Sequence, residues 1–353
     1  MSAPTRELEL PPDPPPPPRR RRTRRILLAV GLTLVLLVGG AAAAGAVIVR
    51  RFDHAVTRAP LLLPSARAEV PSTRAHAAVV GPLNFLLLGS DYRADDPEMG
   101  QRSDTIIVAH LTQAMDRVFL VSIPRDLLVD IPPLASLDFP GDRTKINAAF
   151  QFGHGGLGGA QLVSATLTNM TGVRFDGAVA VDFAGMVHAV DLFGGVTMCV
   201  DTPVVSIHTD RSFQPGCQVM SSDVVLDYLR QRDFPDGDFT RQRHQQQFLS
   251  AVFDEVLSAG TLTNPVRLDS LLQQVAGSMT VDLGGADLPD LLFALRGLSP
   301  GDLTGLKVPF YFQTIGEQAY VIASDEADGL WEALRTDSLG TWAATHEQWQ
   351  NKI

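Results

Sequence analysis

The chain has 353 residues and a formal net charge of −10, with hydrophobic residues making up 45% of the sequence. Residues 1–51 contain nine arginines and three acidic residues, which leaves +6 there and −16 on the remainder. Because so acidic a surface repels phosphate backbones, nucleic acid is not expected as a partner, and any phosphate site must be a local cluster of cations.

The N-terminal residues predict a cytoplasmic tail followed by a membrane anchor. Residues 1–25 are rich in proline and arginine, and we expect this basic tail to be disordered. Residues 26–49 contain neither charge nor proline, and a helix of that length crosses a bilayer. The arginines directly before this segment predict a cytoplasmic N-terminus and an extracytoplasmic C-terminal domain. A cleavable signal peptide is the alternative, but its apolar core runs only about 7 to 15 residues.

The rest of the chain divides by composition. Residues 50–80 mix Pro, Ala, Arg and Ser without periodicity and predict an extracytoplasmic stalk. A main domain is expected over residues 81–275, the C-terminal part of the same ectodomain over 276–337, and a tail over 338–353. Cys199 and Cys217 lie in this outer part, where disulfides persist, so we predict a bridge between them. Two unpaired buried thiols are the alternative.

Short apolar runs alternate with helical patterns along the outer part, which predicts an α/β fold. Strands are predicted over residues 84–88, 105–111, 117–123, 196–200, 306–313 and 319–323. The second and third of these are expected to form an antiparallel hairpin. Helices are predicted over residues 159–170, 183–192, 222–230, 238–258, 288–295 and 325–335.

Several short segments place charges at the end of an apolar element. The motifs GSD (89–91) and RSD (102–104) put carboxylates at the end of one strand and the start of the next, where Mg²⁺ can be held together with substrate phosphate. Capping of turns by Asp is the alternative. The motif SIPRD (122–126) brings an arginine to a strand end, where a solvated ion pair is the alternative, and KIN (145–147) adds a cation and an amide.

The segment GDFTRQRHQQ (237–246), which follows YLRQR (228–232), is the most informative. On a helix that begins near Asp238, the side chains of Asp238, Arg241 and Gln245 fall on one face. Arginines bind phosphate oxygens through bidentate contacts, and several that converge on one diphosphate would hold it against a bound cation. Such positioning and charge neutralisation is most of what phosphoryl transfer requires. An exposed, charge-rich helix is the alternative.

The motifs LLLGSD, RSDTI, SIPRD, KIN, YLRQR and GDFTRQRHQQ, in this order over residues 81–275, resemble the LytR-CpsA-Psr family of bacterial cell-envelope proteins. The resemblance implies a layered α-β-α domain with a central mixed sheet, behind one N-terminal transmembrane helix in the cell membrane. It implies a long apolar cavity for a polyprenyl chain. It also implies a phosphotransferase that moves an anionic glycopolymer with one phosphate from a polyprenyl-diphosphate carrier to peptidoglycan, with Mg²⁺ (or Mn²⁺) as cofactor.

The resemblance also implies roles for individual residues. The metal carboxylates would be Asp91 and Asp104. Asn147 and Asp238 would orient other groups, and Asp91 is a candidate to accept the proton of the acceptor hydroxyl. The diphosphate-binding set would comprise Arg102, Arg125, Lys145, Arg230, Arg232, Arg241 and Gln245.

One position departs from the family pattern, and two other functions remain open. His244 stands where relatives commonly have an arginine, and Arg243 beside it is a possible substitute. A lipid-diphosphate hydrolase would use the same arginines and metal with water as acceptor. A non-catalytic regulatory or wall-binding membrane protein predicts an incomplete set of charges, whereas the set here is nearly complete.

Overall fold

The computed structural model describes residues 56–68, 79–90, 103–182, 187–231, 238–258, 265–284 and 297–353, together with residues 234, 236, 291, 294 and 295. No helix in these segments is both long enough and apolar enough to cross a membrane. The predicted tail over residues 1–25 and the predicted anchor over 26–49 lie outside the described residues.

The first half of the chain supplies most of the central sheet. Its strands are β1 (Thr57–Arg58), β2 (Leu83–Ser90), β3 (Ser103–Leu111), β4 (Val118–Ser122), β5 (Leu128–Ile131), β6 (Asp142–Lys145) and β7 (Gly177–Asp182). The helices between β6 and β7 are α1 (Asn147–Phe152) and α2 (Gly156–Thr171). Short 3₁₀ turns lie at Ala135–Leu137 and His188–Phe193.

The second half adds further strands and the helices that cover the sheet. The strands are β8 (Val196–Val200), β9 (Val204–Val205), β10 (Ser212–Phe213), β11 (Gly216–Met220), β12 (Met279–Asp282), β13 (Leu303–Lys307), β14 (Phe310–Ile315), β15 (Gln318–Ala323) and β16 (Gln350–Asn351). The helices are α3 (Ser222–Arg230), α4 (Asp238–Ser258), α5 (Pro265–Ala276), α6 (Glu326–Arg335) and α7 (Leu339–Thr345). Two 3₁₀ turns lie at Pro300–Asp302 and Glu347–Trp349.

Eight strands form one mixed sheet in the order β1-β12-β7-β2-β3-β4-β13-β16. The pairs β7–β2 and β4–β13 are parallel, whereas β2–β3 and β3–β4 are antiparallel. The carboxyl ends of β2, β4, β7 and β13 therefore meet at one edge of the sheet, together with the start of β3. The predicted α/β architecture with a central mixed sheet is confirmed.

The two faces of the sheet contact different helices, because successive side chains of a strand point in opposite directions. Leu86, Val108 and Val121 lie in the main core together with residues of α1, α2, α6 and α7. Leu87 and Ala109 point to the other face, which α4 covers. The domain is therefore built of three layers, helices on both sides of one sheet.

Several predicted elements match the observed ones. The antiparallel hairpin of β3 and β4 is confirmed, as are the strand β8 and the helices α3 and α4. The single strand predicted over residues 306–313 is wrong, because β13 ends at Lys307 and β14 starts at Phe310 after a break at Pro309, which has no N–H for a ladder. The helix predicted over residues 183–192 is a 3₁₀ turn from His188 onward, followed by Gly194 and Gly195, both at positive φ.

Both ends of the described chain pack against the domain. Residues 56–68 belong to the segment predicted as a stalk, yet Leu61 and Leu62 are buried in the main core and Arg67 pairs with Asp282 at 2.5 Å. Residues after 338, for which a tail was predicted, form α7 and β16, and β16 adds to the edge of the sheet. The apolar side chains in these segments explain the packing, because burying each removes apolar surface from water.

The side chain of Gln246 joins α4 to the sheet through hydrogen bonds. Its amide nitrogen donates to the carbonyl oxygens of Leu120 at 2.8 Å and Leu306 at 2.9 Å, in the neighbouring strands β4 and β13. Its amide oxygen accepts from Asn351 at 2.8 Å, and a Cβ at Gly305 would lie only 2.4 Å from that oxygen. A fully buried amide with partners at both ends keeps α4 in register with β4 and β13.

The predicted disulfide is present. Cys199 and Cys217 are directly opposite each other on the antiparallel strands β8 and β11, and they are bonded. These strands belong to a second, smaller core that also includes Val196, Met220 and Tyr228. In the chain-entropy model, closing a loop of this length stabilises the folded state by about 3 kcal/mol.

Candidate functional site

Three of the predicted site residues, Asp91, Arg102 and Asp104, lie in the sequence near the end of β2 and the start of β3. Ser90 and Ser103 are cross-strand partners there. Asp91, Arg102 and Arg232 lie outside the described residues, and for Asp104 only the backbone, in β3, is described. Within the described residues, no group of three or more His, Cys, Asp or Glu side chains is placed to hold a metal ion.

Backbone hydrogen bonds join the SIPRD and KIN segments at this edge. The N–H of Asn147 donates to the carbonyl oxygen of Arg125 at 3.1 Å, and the N–H of Ile146 donates to that of Leu127 at 2.9 Å. Asn147 is buried and begins α1. The segment after β4 and the segment before α1 are therefore held as one unit, although they are about twenty residues apart in the sequence.

Five side chains form a continuous series of ion pairs, which we call the charge network: Lys145, Asp126, Arg125, Asp238 and Arg241. Asp126 lies 3.0 Å from Lys145 Nζ and 3.7 Å from Arg125 Nε through its two carboxylate oxygens. Oδ1 of Asp238 lies 3.3 Å from Arg125 Nε and 2.6 Å from an Nη of Arg241. The network therefore joins three segments predicted separately to bind phosphate.

Part of this network is buried, so it differs from the solvated ion pair that was the alternative. The side chain of Arg241 is only 3% exposed and that of Asp238 is 17% exposed. Removing one partner of such a pair leaves the other charge poorly solvated, which is costly. Asp238 thus contacts both Arg125 and Arg241, and the orienting role that the family resemblance implies for it stays a prediction.

Two glutamines extend the same side of α4. Gln242 donates from its amide nitrogen to Asp238 Oδ2 at 3.1 Å. Gln245 is buried, and its Oε1 atom has no hydrogen-bond partner within the described residues. Because the two ends of an amide are told apart only by their hydrogen bonds, this end of Gln245 can equally be the donor that a phosphate oxygen needs.

Arg230 is a predicted cation of the site that lies outside the charge network. It is the last residue of α3 and is partly exposed. Among the residues that the structure describes, Arg230 has no ion-pair partner. Its position places a cation at the helix end that precedes α4.

His244 is part of a buried aromatic cluster. Its Nε2 lies 2.9 Å from the hydroxyl of Tyr228, and the two rings stack with centroids 4.2 Å apart. Burial, and to a lesser degree the charge of Arg243, lowers the pKa of His244 to about 3, so the ring is neutral at pH 7. Arg243 pairs with Asp201 at 3.1 Å. Within the described residues, neither His244 nor Arg243 belongs to the charge network.

The buried neutral state of His244 predicts a pH effect on stability. The unfolded chain takes up a proton at this residue near pH 6.5, whereas the folded chain does not until about pH 3, so lowering the pH favours unfolding. Replacement by glutamine removes that titration. We expect the free energy of unfolding to fall by about 2 kcal/mol less between pH 7 and pH 5 in His244→Gln than in the unmodified chain.

The measurement is the free energy of unfolding in urea at a series of pH values. Burial also lowers the pKa of His110, which therefore contributes a loss of the same sign to both proteins and cancels in the comparison. Equal losses in the two proteins would show that His244 is protonated in the folded chain.

An apolar cavity of about 310 Å³ lies between the sheet and α4. The sheet side of its wall includes Phe85, Leu87, Ala109, Leu120 and Val179, and the helix side includes Leu249 and Phe253. The cavity is the kind of space that the family resemblance implies for a polyprenyl chain, and its presence could not be deduced from apolar runs that would also suit a packed core.

One face of α4 connects the cavity to the charge network. Asp238, Arg241, Gln245, Leu249 and Phe253 follow one another at spacings of three and four, so they lie along one side of the helix. This side is charged at its N-terminal end, polar in the middle and apolar beyond. From Arg241 to Leu249 the helix rises about 12 Å.

Sequence reasoning missed three features of this site. The sequence indicates Asp126 only as the neighbour of Arg125, whereas in the structure its carboxylate forms an ion pair with Lys145. Gln246 carries no charge, and its neighbours are also glutamines, so no sequence signal separates it from them. The β14–β15 hairpin beside the site was predicted with the wrong strand boundaries. Its anchoring to the site loop, through the N–H of Val321 donating to the carbonyl of Asp126 at 3.0 Å, had no local signature.

Comparison with known proteins gives a family match over most of the chain. The model described as LytR_cpsA_psr family matches residues 64–336. The probable cell wall biosynthesis protein LcpB of Corynebacterium glutamicum is 33% identical over 228 residues, which cover 61% of this chain and 52% of that protein. The chain therefore spans about half the length of this relative.

A second relative and a solved structure are also similar to this chain. The polyisoprenyl-teichoic acid–peptidoglycan teichoic acid transferase TagU of Enterococcus faecalis is 30% identical, over 61% of this chain and 66% of that protein. The crystal structure of TagV from B. subtilis superposes with a TM-score of 0.61 at 24% identity, over 74% of this chain and 98% of that one. At this identity the superposition supports the fold alone.

Proposed function

Because this chain belongs to the LytR-CpsA-Psr family, we propose that it transfers an anionic glycopolymer, together with one phosphate, from a polyprenyl-diphosphate carrier to peptidoglycan. The name of the Enterococcus faecalis relative, a teichoic acid transferase that acts between a polyisoprenyl-linked polymer and peptidoglycan, supports this class of reaction. The identity of the polymer is left open.

The observation that carries the proposal is that one face of α4 changes from charged at its N-terminal end to apolar further along. A polyprenyl diphosphate has an apolar chain joined to two negatively charged phosphates. Along one helix face, Arg241 lies at the charged end and Leu249 and Phe253 line the cavity, in the same order as the two parts of such a lipid. A hydrolase or transferase of lipid diphosphates needs both parts within reach of each other, whereas a wall-binding protein needs neither the cavity nor its alignment with the cations.

In the proposed reaction, the acceptor hydroxyl oxygen bonds to the phosphorus that carries the glycan. The bond from that phosphorus to the lipid-side phosphate breaks, and polyprenyl monophosphate leaves. Arg125, Lys145 and Arg241 bind the diphosphate oxygens and stabilise their charge in the transition state, and Arg102, Arg230, Arg232 and Gln245 complete the set. Asp91 takes the proton of the hydroxyl as it attacks.

A divalent cation, Mg²⁺ or Mn²⁺, fits the charge balance of this site. Three cations of the network, Arg125, Lys145 and Arg241, are opposed by two carboxylates, which leaves little positive charge for two phosphates. In the sequence, Asp91 directly follows β2 and Asp104 is the second residue of β3, and one or two carboxylates plus substrate phosphate is the usual environment of Mg²⁺. When bound, the ion would neutralise phosphate charge.

We also propose that this catalytic domain lies outside the cell membrane, with the N-terminus in the cytoplasm. The run of arginines before residues 26–49 supports this orientation, and a membrane-bound lipid donor requires a site close to the bilayer. Peptidoglycan, the proposed acceptor, is then on the same side as the site.

The test is a transfer assay with the full chain in detergent micelles. A polyprenyl-diphosphate glycan, peptidoglycan fragments and Mg²⁺, Mn²⁺ or EDTA are mixed with the protein, and products are identified by mass spectrometry. We expect glycan phosphate covalently attached to the fragment and release of lipid monophosphate, both abolished by EDTA. Lipid monophosphate with soluble glycan phosphate would identify a hydrolase instead, and an intact substrate with both metals would favour a non-catalytic protein.

A further inference from the structure

The β14–β15 hairpin borders the charge network and exposes an aromatic ring. The side chain of Phe312 is 66% exposed, an unusual position for a large apolar ring. The hairpin is fixed to the site loop by the bond from Val321 to Asp126 and by a bridge between Val321 and Leu127. An exposed ring on an anchored hairpin is therefore held close to residues that bind substrate in the proposed function.

The orientation of Phe312 is determined by aromatic neighbours. Phe239 and Phe310 stack in parallel with centroids 3.9 Å apart, and the ring of Phe312 contacts both edge-to-face, at 5.9 Å and 5.2 Å. Phe239 directly follows Asp238, the carboxylate that joins Arg125 to Arg241. The exposed ring of Phe312 is thus pre-oriented against Phe239, the second residue of α4.

The hairpin is chemically unlike the charge network. Between Phe310 and Ala323 the only charged residue is Glu317, and Thr314, two positions along β14 from Phe312, puts a hydroxyl on the same face as the ring. A ligand that suits an uncharged surface of this kind has an apolar face and hydroxyl groups at its edge, as a pyranose ring has. An anionic membrane surface would instead require lysines or arginines, and this segment has none.

The order of the cavity, the cations and the Phe312 contact along α4 indicates which sugar of the donor would reach Phe312. The cavity lies at Leu249 and Phe253, the cations lie near Arg241, and Phe312 contacts the helix at Phe239. From Phe239 to Phe253 the helix rises about 21 Å. In a polyprenyl-diphosphate glycan the diphosphate also lies between the lipid and the first sugar, so a lipid in the cavity directs that sugar towards the hairpin.

We propose that Phe312 is the stacking platform for the sugar ring joined to the diphosphate of the donor lipid. This inference rests on the proposed function, and it adds a contact to the glycan that none of the phosphate-binding residues can supply. The apolar face of the ring packs on the phenyl group, whose π-face is electron-rich and attracts the sugar C–H groups.

The experiment measures the affinity of the full chain, in detergent, for two probes. One is geranylgeranyl diphosphate and the other is geranylgeranyl diphosphate bearing a single N-acetylglucosamine. We expect Phe312→Ala and Phe312→Leu to bind the glycosylated probe about fivefold more weakly than the unmodified chain, with unchanged affinity for the sugar-free probe. Phe312→Trp should keep or improve binding of the glycosylated probe.

The matched control is Tyr311→Ala, which removes a neighbouring exposed ring from the opposite face of the same strand. It should bind both probes as the unmodified chain does. If Phe312→Ala binds both probes normally, the platform proposal fails while the proposed function stands. Equal weakening for both probes would show that Phe312 contacts the lipid rather than the sugar. If both affinities are unchanged and only the KM for peptidoglycan fragments in the transfer assay changes, Phe312 contacts the acceptor instead. If the unmodified chain binds neither probe, both proposals fail.

Discussion

Replacement of Arg125 by alanine is expected to lower the rate of glycan transfer about a thousandfold. Arg125 lies three residues after β4, between two carboxylates, Asp126 and Asp238, and its guanidinium is the link between the two halves of the charge network. Loss of one donor that stabilises transition-state charge typically reduces the rate by about 10² to 10³. Here Asp238 also loses a partner, so the position of Arg241 is less well determined.

Single-turnover transfer with the full chain measures this effect, and thermal unfolding separates it from loss of the fold. Arg143→Ala is the matched control, because Arg143 lies on the nearby strand β6, is 70% exposed, and pairs only loosely with Asp130 at 3.7 Å. We expect no change in its rate, since exposed pairs contribute about 0 to 1 kcal/mol. Arg125→Lys should recover part of the activity, as it keeps the charge but not the forked geometry. A rate for Arg125→Ala within threefold of the unmodified chain would remove Arg125 from the site.

The parts of the site that could be predicted from the sequence are those defined by local periodicity. The face of α4 that carries Asp238, Arg241 and Gln245 follows from the helical repeat alone, and its start at Asp238 was marked by an acidic residue in the first turn. The hairpin of β3 and β4 was evident from two β-rich runs joined by a short polar connection. These features depend on residues within one or two elements.

The parts that could not be predicted depend on contacts between distant segments. The short strands β5 and β6 contain charged residues such as Asp130 and Arg143, so they lack the apolar alternation of a strand, yet their pairing brings Lys145 opposite Leu128 and close to Asp126. The role of Gln246 depends on two carbonyl groups in strands 126 and 60 residues away. Local propensity contains no information about such partners.

The cavity could not be predicted from the sequence either. An apolar residue in a strand gives the same sequence pattern whether its side chain faces a packed core or an empty space. Leu86 and Leu87 are adjacent in β2 and equally apolar, but Leu86 is buried in the main core and Leu87 lines the cavity. The difference arises from what covers each face of the sheet. Only the arrangement of α4 over that face leaves space for a ligand.

Filling the cavity is expected to abolish tight binding of the lipid without unfolding the protein. Ala109 is a small residue in the central strand β3, and its side chain lines the cavity of about 310 Å³. In Ala109→Phe the added phenyl group occupies space that a polyprenyl chain would use. If it displaces two or three methylene groups, each contributing about 0.8 kcal/mol, affinity for geranylgeranyl diphosphate falls about 30-fold.

The dependence on chain length separates this effect from damage to the charge network. Isopentenyl diphosphate presents the same two phosphates with a chain too short to fill the cavity, so its affinity should be equal for Ala109→Phe and the unmodified chain. Ala344→Phe, which adds the same ring at an exposed position of α7, controls for the added apolar surface. Thermal unfolding should show little loss in Ala109→Phe, because the ring enters an existing apolar space rather than a packed core. Equal weakening for the short and long lipids would mean that the ring disturbs the phosphate site, and unchanged binding of both would place the lipid elsewhere.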